Sequence, residues 1–316
     1  MADAQKVLVV GGGPWGVALA AGAAQAGSDV VLLTRRDPSP LPERVRIVRT
    51  VAEAMKHARL VVLAIPSGVA RPALRDLGEH MDGSHYVVHG IRGLEGPELL
   101  TICDVIREET PARRVGALGG PALADDLVAG RPSVLVCGSR YPEVCEAVAA
   151  ALGSDHLRVY PTSDLRGLEW ASALVGCLTI AVGYAQALKT SPALVAALIS
   201  RSIGEAARIA SAAGGDERTV LGLAGSGDLL ASISQAERPE VVLGTALAEG
   251  KSRDDALKAA KLRVEGVDLI PRIVKWTEQR GVRAPIFRAL SGGVIEGRPA
   301  RAILHELMTL PVEEGA

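Results

Sequence analysis

Short hydrophobic runs rich in β-branched residues alternate with segments of helical length over the first half of the chain. Six runs predict buried strands: Val7–Val10, Val30–Leu33, Leu60–Ile65, Tyr86–His89, Val134–Cys137 and Arg158–Tyr160. Four Ala-rich or amphipathic segments between them predict helices: Trp15–Ala26, Val51–His57, Pro97–Glu109 and Pro142–Leu152. Nearly continuous apolar strands that alternate with helices are typical of a mostly parallel, doubly wound sheet covered on both faces.

Two local signals fix helix ends in this half. Thr50 followed by Glu53 has the spacing of a capping box, which predicts a helix start at Thr50. Gly27 follows Ala26 and is placed to end the first predicted helix, because glycine readily adopts the left-handed conformation found there.

The strand pattern stops after about residue 163, and the rest of the chain predicts helices only. The predicted helices cover residues 163–189, 192–213, 240–250, 253–261, 268–280, 285–291 and 299–309. The composition changes near Thr162, where we place the domain boundary. We therefore expect an α/β domain over residues 1–162 and an all-α domain over residues 163–316.

The segment from Gly11 to Gly16 reads G-x-G-x-x-G and lies between the first predicted strand and the first predicted helix. Gly11 permits the tight turn, Gly13 lets the backbone approach a pyrophosphate, and Gly16 lets the helix pack against the strand. The N–H groups of the helix N-terminus then face the phosphates. The pattern predicts a dinucleotide-binding Rossmann domain, with a ligand-free Gly-rich turn as the alternative.

The second predicted strand ends at Leu33 and is followed by Thr34-Arg35-Arg36. NAD sites commonly place an acidic residue at this strand end to bind the ribose 2′-OH, and here none is present. Arg35 and Arg36 would instead bind a 2′-phosphate. We expect NADP(H) as the favoured cofactor, with NAD(H) possible; two solvated arginines beside Asp37 are the alternative.

Composition and charge narrow the function classes. The 316 residues carry 35 Lys+Arg and 36 Asp+Glu, a net charge of −1, so no basic field is present for general nucleic-acid binding. Three Trp, four Tyr and one Phe are too few for base-stacking or sugar-stacking platforms.

Cysteine usage and the N-terminus indicate the cytoplasm. Cys103, Cys137, Cys145 and Cys177 include no CxxC pair and no His at ligand spacing, so we expect reduced thiols and no metal site. The first residues lack the basic region of a signal peptide. The apolar stretch 171–188 is read as a buried core helix and not a membrane span.

Several motifs in a fixed order extend the glycine fingerprint over essentially the whole chain. They are Gly13–Ala20, Ile65-Pro66-Ser67, Arg92-Gly93-Leu94-Glu95, Gly119–Ala124, Gly222–Leu229 and Val264-Glu265-Gly266. Together they resemble the bacterial NAD(P)-dependent glycerol-3-phosphate dehydrogenases. The resemblance implies a Rossmann domain followed by a helical substrate domain, a small phosphorylated substrate and a homodimer. It also implies hydride exchange between a nicotinamide and C2 of glycerol 3-phosphate, giving dihydroxyacetone phosphate.

The resemblance also implies roles for individual residues. The glycine segment and Arg36 are already assigned to the cofactor above. The resemblance implies further cofactor contacts at Pro14, Trp15, Arg35, Pro66, Arg92, Ala124 and Glu265. The substrate positions that it implies are Arg92, Gly120, Asp228 and Arg238.

The chain departs from the family pattern at the positions that carry the chemistry. Arg92 stands where the family has a lysine, and Val175-Gly176 stands where it has a Lys-Asn pair whose lysine is the general acid and base. The family's Gly-Pro-Ser/Thr hydroxyl is replaced by Ala122, and its Ser-Arg-Asn element by Arg238-Pro239-Glu240.

These departures leave the proton donor open. A valine cannot donate a proton, and loss of such a group costs on the order of 10²–10⁴ in rate. Arg92 binds anions but stays charged near neutral pH. Asp228 remains as a charged candidate, with a helix N-cap as its alternative role, and a titrating His89 at a strand end is a substitute donor.

Three functional interpretations follow. The first is an NADP-preferring glycerol-3-phosphate dehydrogenase with slow turnover. The second is a catalytically weak or silent relative that only binds the dinucleotide. The third is a dehydrogenase of another small alcohol or ketone, since Val175, Ala122 and Pro239 make the pocket less cationic and more apolar.

Overall fold

The computed structural model describes residues 4–38 and 40–309. The strands are β1 (Lys6–Val10), β2 (Asp29–Leu33), β3 (Val45–Val48), β4 (Leu60–Leu63), β5 (Tyr86–His89), β6 (Arg114–Gly119), β7 (Ser133–Gly138) and β8 (Leu157–Thr162). The helices that alternate with them are α1 (Pro14–Gln25), α2 (Val51–His57), α3 (Ala70–Gly78), α4 (Ile102–Glu109), α5 (Ala124–Val128) and α6 (Pro142–Leu152). A 3₁₀ turn, Ser67–Val69, precedes α3.

The rest of the described chain is helical. Its helices are α7 (Leu165–Ala187), α8 (Pro192–Ala212), α9 (Glu217–Leu221), α10 (Asp228–Ile233), α11 (Pro239–Ala248), α12 (Arg253–Ala260), α13 (Gly266–Gln279), α14 (Pro285–Val294) and α15 (Ala300–Thr309). A π-helical turn, Leu223–Gly227, joins α9 to α10. The chain divides into two compact units, Met1–Glu95 with Leu100–Glu169 and Gly96–Leu99 with Trp170–Ala316.

The strands form one sheet in the order β3-β2-β1-β4-β5-β6-β7-β8. Every neighbouring pair is parallel except β6 and β7, which run antiparallel. The chain moves outward in both directions from β1 and β4, so these neighbours form the switch point of a doubly wound sheet. Ligands of such sheets bind outside the carboxyl ends of the strands at this point. The predicted Rossmann fold followed by an all-α region is confirmed.

Small and β-branched residues build the core around the switch point. Val7, Leu8 and Val9 of β1 are fully buried, because both faces of the sheet are covered. Helix α1 is rich in alanine and glycine, which lets it lie close to the sheet.

The predicted helix at Pro97–Glu109 is wrong over its first five residues. Glu95 and Leu100 exchange two backbone hydrogen bonds of 2.8 and 2.9 Å, which close a turn instead. Gly96 and Leu99 in that turn have φ of 63° and 55°, a conformation outside a right-handed helix. The helix starts at Ile102, where Thr101 caps it.

Other details refine the sequence predictions. Thr50 caps α2 by accepting a hydrogen bond from the Glu53 N–H, and Gly27 has φ of 89° after α1; both predictions are confirmed. The long helix α7 ends at Ala187, two residues before the predicted end.

The second unit is centred on α7, which is apolar on all sides. The helix is long and apolar enough to cross a membrane, but 94% of its most apolar window is buried within the protein, as in a core helix. Trp170 packs against Trp276 with ring centroids 5.0 Å apart. A Cβ on Gly183 would overlap the backbone of α11, so this glycine allows the two helices to touch.

Candidate functional site

The glycine turn after β1 places three glycines in three different environments. Gly11 has φ of 120°, and a Cβ there would overlap the Ala64 carbonyl after β4. A Cβ on Gly16 would overlap the Gly11 carbonyl, so this glycine brings α1 against the turn. Around Gly13, the residue that precedes α1, a Cβ would meet no atom within 4 Å. Open space beside the free N–H groups of a helix N-terminus fits a pyrophosphate.

Pro14 and Trp15 follow as the first residues of α1. Pro14 occupies the first turn, where its missing N–H leaves no hydrogen bond unmade. The Trp15 indole lies against the end of β5, since a Cβ on Gly90 would be 2.5 Å from Trp15 Nε1. Trp15 therefore connects the glycine turn with the segment after β5 and packs on the core of the first unit.

The segment after β2 carries Arg35 and Arg36 on the surface. Both side chains are exposed, and neither guanidinium has a hydrogen bond or ion pair among residues 4–38 and 40–309. Arg49, which the sequence reading missed, holds this segment in place. Its guanidinium donates to the carbonyls of Thr34 and Arg36, each at 2.7 Å, and pairs with Asp37.

His89 at the end of β5 is 1% exposed and has both ring nitrogens engaged. Its Nδ1 accepts from the Ile91 N–H at 3.2 Å, so its Nε2 carries the proton and donates to Glu169 Oε1 at 2.9 Å. Glu169 Oε1 also accepts from the Cys103 N–H at 2.8 Å. The histidine proposed as a proton donor thus lies in a buried hydrogen-bonded cluster that ties β5 to the start of α7.

The same cluster contains three residue types that bind metal ions in other proteins. One ligand atom from each of His89, Cys103 and Glu169 lies within 4.8 Å of the others. Burial raises the pKa of the Cys103 thiol well above its usual range, which keeps it protonated. The thiol lies 3.4 Å from the Gly116 carbonyl, where it donates a hydrogen bond. The donors and acceptors of the cluster satisfy one another, which fits a hydrogen-bonded cluster better than a cation site.

Arg92 lies in the segment between β5 and α4. Its side chain is half-buried, and Gly93 and Leu94 beside it are buried. Glu95, at the end of the segment, pairs through two hydrogen bonds with Arg71 on α3, at 3.2 and 3.1 Å. Arg71 is a second residue that the sequence reading missed.

The segment after β6 contains Gly120, Ala122 and Ala124. Gly120 has φ of 95°, and a Cβ there would lie 3.2 Å from Val136 Cγ2, so a glycine is required for the turn. Ala122 is buried in the core of the first unit, and Ala124 begins α5 half-buried. The first unit therefore brings the segments after β1, β2, β4, β5 and β6 to the carboxyl edge of one sheet.

Within the second unit, Asp228 and Arg238 form a buried polar cluster. Asp228 is 0% exposed, and its Oδ1 lies 3.7 Å from Arg238 Nη1. The same guanidinium pairs with Glu240 at 3.3 Å and donates to the Ser232 hydroxyl. Asp228 is the first residue of α10 and not its N-cap, because Gly227 precedes the helix with helical dihedrals.

Val175 lies on α7, connected to this cluster through Thr179. The Thr179 hydroxyl donates to the Val175 carbonyl at 2.8 Å and lies 3.4 Å from Ser232 Oγ. Val175 itself is 0% exposed. One helical turn earlier, Ser172 is 3% exposed, and its Oγ makes no hydrogen bond within residues 4–38 and 40–309.

Glu265 precedes α13 and is half-buried. The next residue, Gly266, packs on α7, since a Cβ there would lie 3.3 Å from the Cys177 Cα. The Val-Glu-Gly motif thus fixes the start of α13 against the helix that carries Val175.

Comparison with known proteins gives consistent matches. The family described as NAD-dependent glycerol-3-phosphate dehydrogenase matches with its N-terminal part at residues 37–145 and its C-terminal part at residues 164–305. A glycerol-3-phosphate dehydrogenase [NAD(P)+] of Acidithiobacillus ferrooxidans is 33% identical over 95% of this chain and 92% of that protein. One of Thermobifida fusca is 32% identical over 96% of both chains.

A solved structure has the same fold. The crystal structure of glycerol-3-phosphate dehydrogenase from Coxiella burnetii superposes with a TM-score of 0.90 at 23% identity. The match covers 96% of this chain and 99% of that one.

Proposed function

Because the chain belongs to the NAD-dependent glycerol-3-phosphate dehydrogenase family, we propose that it transfers a hydride between NADP(H) and C2 of glycerol 3-phosphate or dihydroxyacetone phosphate. The observation that carries this proposal is the glycine turn after β1. It combines the open space at Gly13, the close packing at Gly16 and the free N–H groups of α1. Residues 1–162 would bind the dinucleotide, and residues 163–316 would bind substrate and form a homodimer.

The nicotinamide would supply or accept the hydride when bound. The chain's own residues would hold the dinucleotide: the backbone N–H groups in the first turn of α1, other than Pro14 which has none, would face the pyrophosphate, and Pro14 and Trp15 would shape the turn. Pro66, Arg92, Ala124 and Glu265 are the further proposed cofactor contacts. The inferred location is the cytoplasm.

The preference for NADP over NAD rests on Arg35 and Arg36. Both guanidiniums are exposed beside the end of β2, where the 2′-position of the ribose lies in Rossmann domains. Arg49 holds the backbone of this segment, so the two arginines project from a fixed support. We expect Arg35→Ala to weaken NADPH binding about tenfold or more and to leave NADH binding within about twofold. Calorimetric titration of both dinucleotides measures this, and equal losses for both would contradict it.

The substrate half of the site supports binding better than turnover. Arg92, Arg238 and Gly120 are proposed to hold the phosphorylated substrate, and Asp228 its hydroxyl end. Hydride addition to the ketone leaves an alkoxide that needs a proton, and Val175 has none to give. Both ring nitrogens of His89 are already engaged in hydrogen bonds. We therefore infer slow turnover, with Asp228 as the remaining polar candidate for proton transfer.

A second candidate function has its own observation. The Arg238 guanidinium contacts the carboxylates of both Asp228 and Glu240, which offsets its charge toward a phosphate dianion. This charge balance favours a less anionic small alcohol or ketone as the substrate. It is also consistent with a protein that binds the dinucleotide without turnover.

A dinucleotide-binding titration followed by an activity assay separates these functions. We expect saturable NADPH binding with Kd on the order of micromolar, and oxidation of NADPH by dihydroxyacetone phosphate well below the ~10 s⁻¹ of a median enzyme. The absorbance of the reduced nicotinamide follows the reaction. Binding without any turnover, across a panel of small ketones with and without phosphate, would support the silent relative. No binding of either dinucleotide would end the proposal.

A further inference from the structure

We propose that Arg71 is a positioning residue of the dinucleotide site, which fixes the segment after β4 to the segment after β5. This inference rests on the proposed function, because both segments are assigned to the cofactor. Arg71 lies in the first turn of α3, five residues after Pro66. Glu95, its partner, lies three residues after Arg92.

Two hydrogen bonds between Arg71 and Glu95 connect the two segments. Arg71 Nε lies 3.2 Å from Glu95 Oε1, and Arg71 Nη2 lies 3.1 Å from Glu95 Oε2. A planar guanidinium that meets both oxygens of a carboxylate fixes direction as well as distance, which a lysine cannot do. The side chains are 28% and 23% exposed, so the pair is partly shielded from water.

The other side of the guanidinium is anchored to α4. Arg71 Nη1 lies 2.6 Å from Glu109 Oε1 and 2.8 Å from Glu108 Oε2. These carboxylates hold the guanidinium in one orientation, and the hydrogen bonds that Arg71 donates to Glu95, Glu109 and Glu108 raise its pKa. Arg71 therefore stays charged and connects α3, α4 and the Arg92–Glu95 segment.

The backbone that follows Glu95 forms a hydrogen-bonded turn. Glu95 and Leu100 exchange two backbone hydrogen bonds, so the end of the segment is held from both sides. The two strands that lead into the joined segments are parallel neighbours, with Leu63 opposite His89. A shift of Glu95 would therefore move Arg92 relative to Pro66, the two residues proposed to line the cofactor.

Arg75 provides a matched control. It lies one turn later on α3 and donates to the same Glu109 at 3.1 Å, but its side chain is 64% exposed. Within residues 4–38 and 40–309, Arg75 pairs with Glu109 and not with Glu95. Its removal takes away an arginine and an ion pair from the same helix without loosening the Arg92–Glu95 segment.

The experiment measures NADPH affinity by calorimetry on Arg71→Ala, Arg71→Lys, Glu95→Gln and Arg75→Ala, at a temperature where all four are folded. We expect Arg71→Ala to weaken binding about tenfold, Arg71→Lys to recover part of the loss, and Arg75→Ala to stay within about twofold of wild type. Where turnover is measurable, Arg71→Ala should have a lower kcat/KM than Arg75→Ala. This difference should exceed what any difference between their thermal midpoints explains.

A double-mutant cycle separates positioning from general stability. If Arg71 acts through Glu95, Glu95→Gln should weaken NADPH binding in the wild type and have little further effect in Arg71→Ala. Additive effects, or equal NADPH affinity in Arg71→Ala and Arg75→Ala, would overturn the inference. Failure of the wild-type protein to bind any dinucleotide would instead contradict the proposed function, so the two failures are distinguishable.

Discussion

One methyl group has opposite consequences at two glycines of the same turn. A Cβ on Gly13 meets no atom within 4 Å, whereas a Cβ on Gly16 overlaps the Gly11 carbonyl oxygen. The first position faces open space and the second is a packing contact between α1 and the turn. The functional and structural roles of the motif can therefore be separated by experiment.

We expect Gly13→Ala to keep the thermal midpoint within about 2 °C and to weaken NADPH binding at least tenfold, because the methyl group would enter the space that we propose for the pyrophosphate. Gly16→Ala should destabilise the fold by on the order of 1–3 kcal/mol, since backbone must move to accept it. Differential scanning calorimetry and NADPH titration measure both effects. An unstable Gly13→Ala that binds normally when folded would contradict the assignment.

The packing role of Gly16 could be predicted from sequence because its partner, Gly11, lies only five residues earlier in the chain. Gly11 and Gly16 meet within one turn, and the G-x-G-x-x-G spacing encodes that meeting. Arg49 and Arg71 could not be found in this way. Arg71 reaches Glu95 and Glu109 across 24 and 38 residues, and nothing local distinguishes it from a solvated surface arginine.

At the scale of elements, a buried carboxyl group joins α8 to α14. Glu205 on α8 is 1% exposed, and its two oxygens accept from the N–H groups of Ile286 and Phe287 at 2.9 and 2.8 Å. These N–H groups belong to the first turn of α14, where no backbone partner is available. Burial nevertheless raises the pKa of Glu205 to about 7, against the opposing effects of these hydrogen bonds and of Arg208 and Arg201.

The raised pKa predicts that the contribution of Glu205 to stability decreases as pH rises. Below its unfolded pKa of about 4.5 the group is protonated in both states, and between there and pH 7 only the unfolded state loses its proton. The free energy of unfolding should fall by on the order of 3 kcal/mol between pH 4.5 and pH 8 from this group.

Urea unfolding at pH 5 and pH 8 measures the effect. Glu205→Gln has no titrating proton, so its stability difference between the two pH values should be smaller than that of the wild type. Glu278→Gln on α13 is the control, because the Glu278 side chain is 54% exposed. An unchanged pH dependence in Glu205→Gln would show that this carboxyl group does not titrate in that range.

The starts of two capped helices could be predicted from sequence, whereas two short elements of the fold could not. The side chains of Thr50 and Ser191 cap their helices by accepting a hydrogen bond from the N–H group three residues later. Both helix starts agree with the prediction. The strand β3 was not predicted, although Val45, Ile47 and Val48 are β-branched; it has only four residues and pairs with β2. The π-helical turn before Asp228 has no local signature.

For the whole molecule, the order of motifs was enough to identify the family. The motifs did not identify the side chain that donates the proton. The resemblance rests on short glycine-containing motifs that occur in a fixed order between Gly13 and Gly266. The proton donor is a single side chain, and a replacement could come from anywhere in the chain. The structure narrows the search by showing that His89 is engaged and that Ser172 and Thr179 are the hydroxyls on the face of α7 beside Val175.

The last prediction tests whether the rest of the site still supports the reaction. Val175→Lys places an amine at the position where the resemblance implies the general acid, one helical turn before Thr179, whose hydroxyl lies 3.4 Å from Ser232 Oγ in the cluster with Asp228 and Arg238. If those residues still form a substrate pocket, reduction of dihydroxyacetone phosphate by NADPH should increase by on the order of 10²-fold.

Burial lowers the pKa of a lysine, which suits proton transfer near neutral pH but destabilises the fold. Val175→Met is therefore the control for bulk, and NADPH affinity checks that each variant is folded. A Val175→Lys protein that binds NADPH normally and gains no activity would mean that the pocket no longer accepts this substrate, which favours the dinucleotide-binding relative.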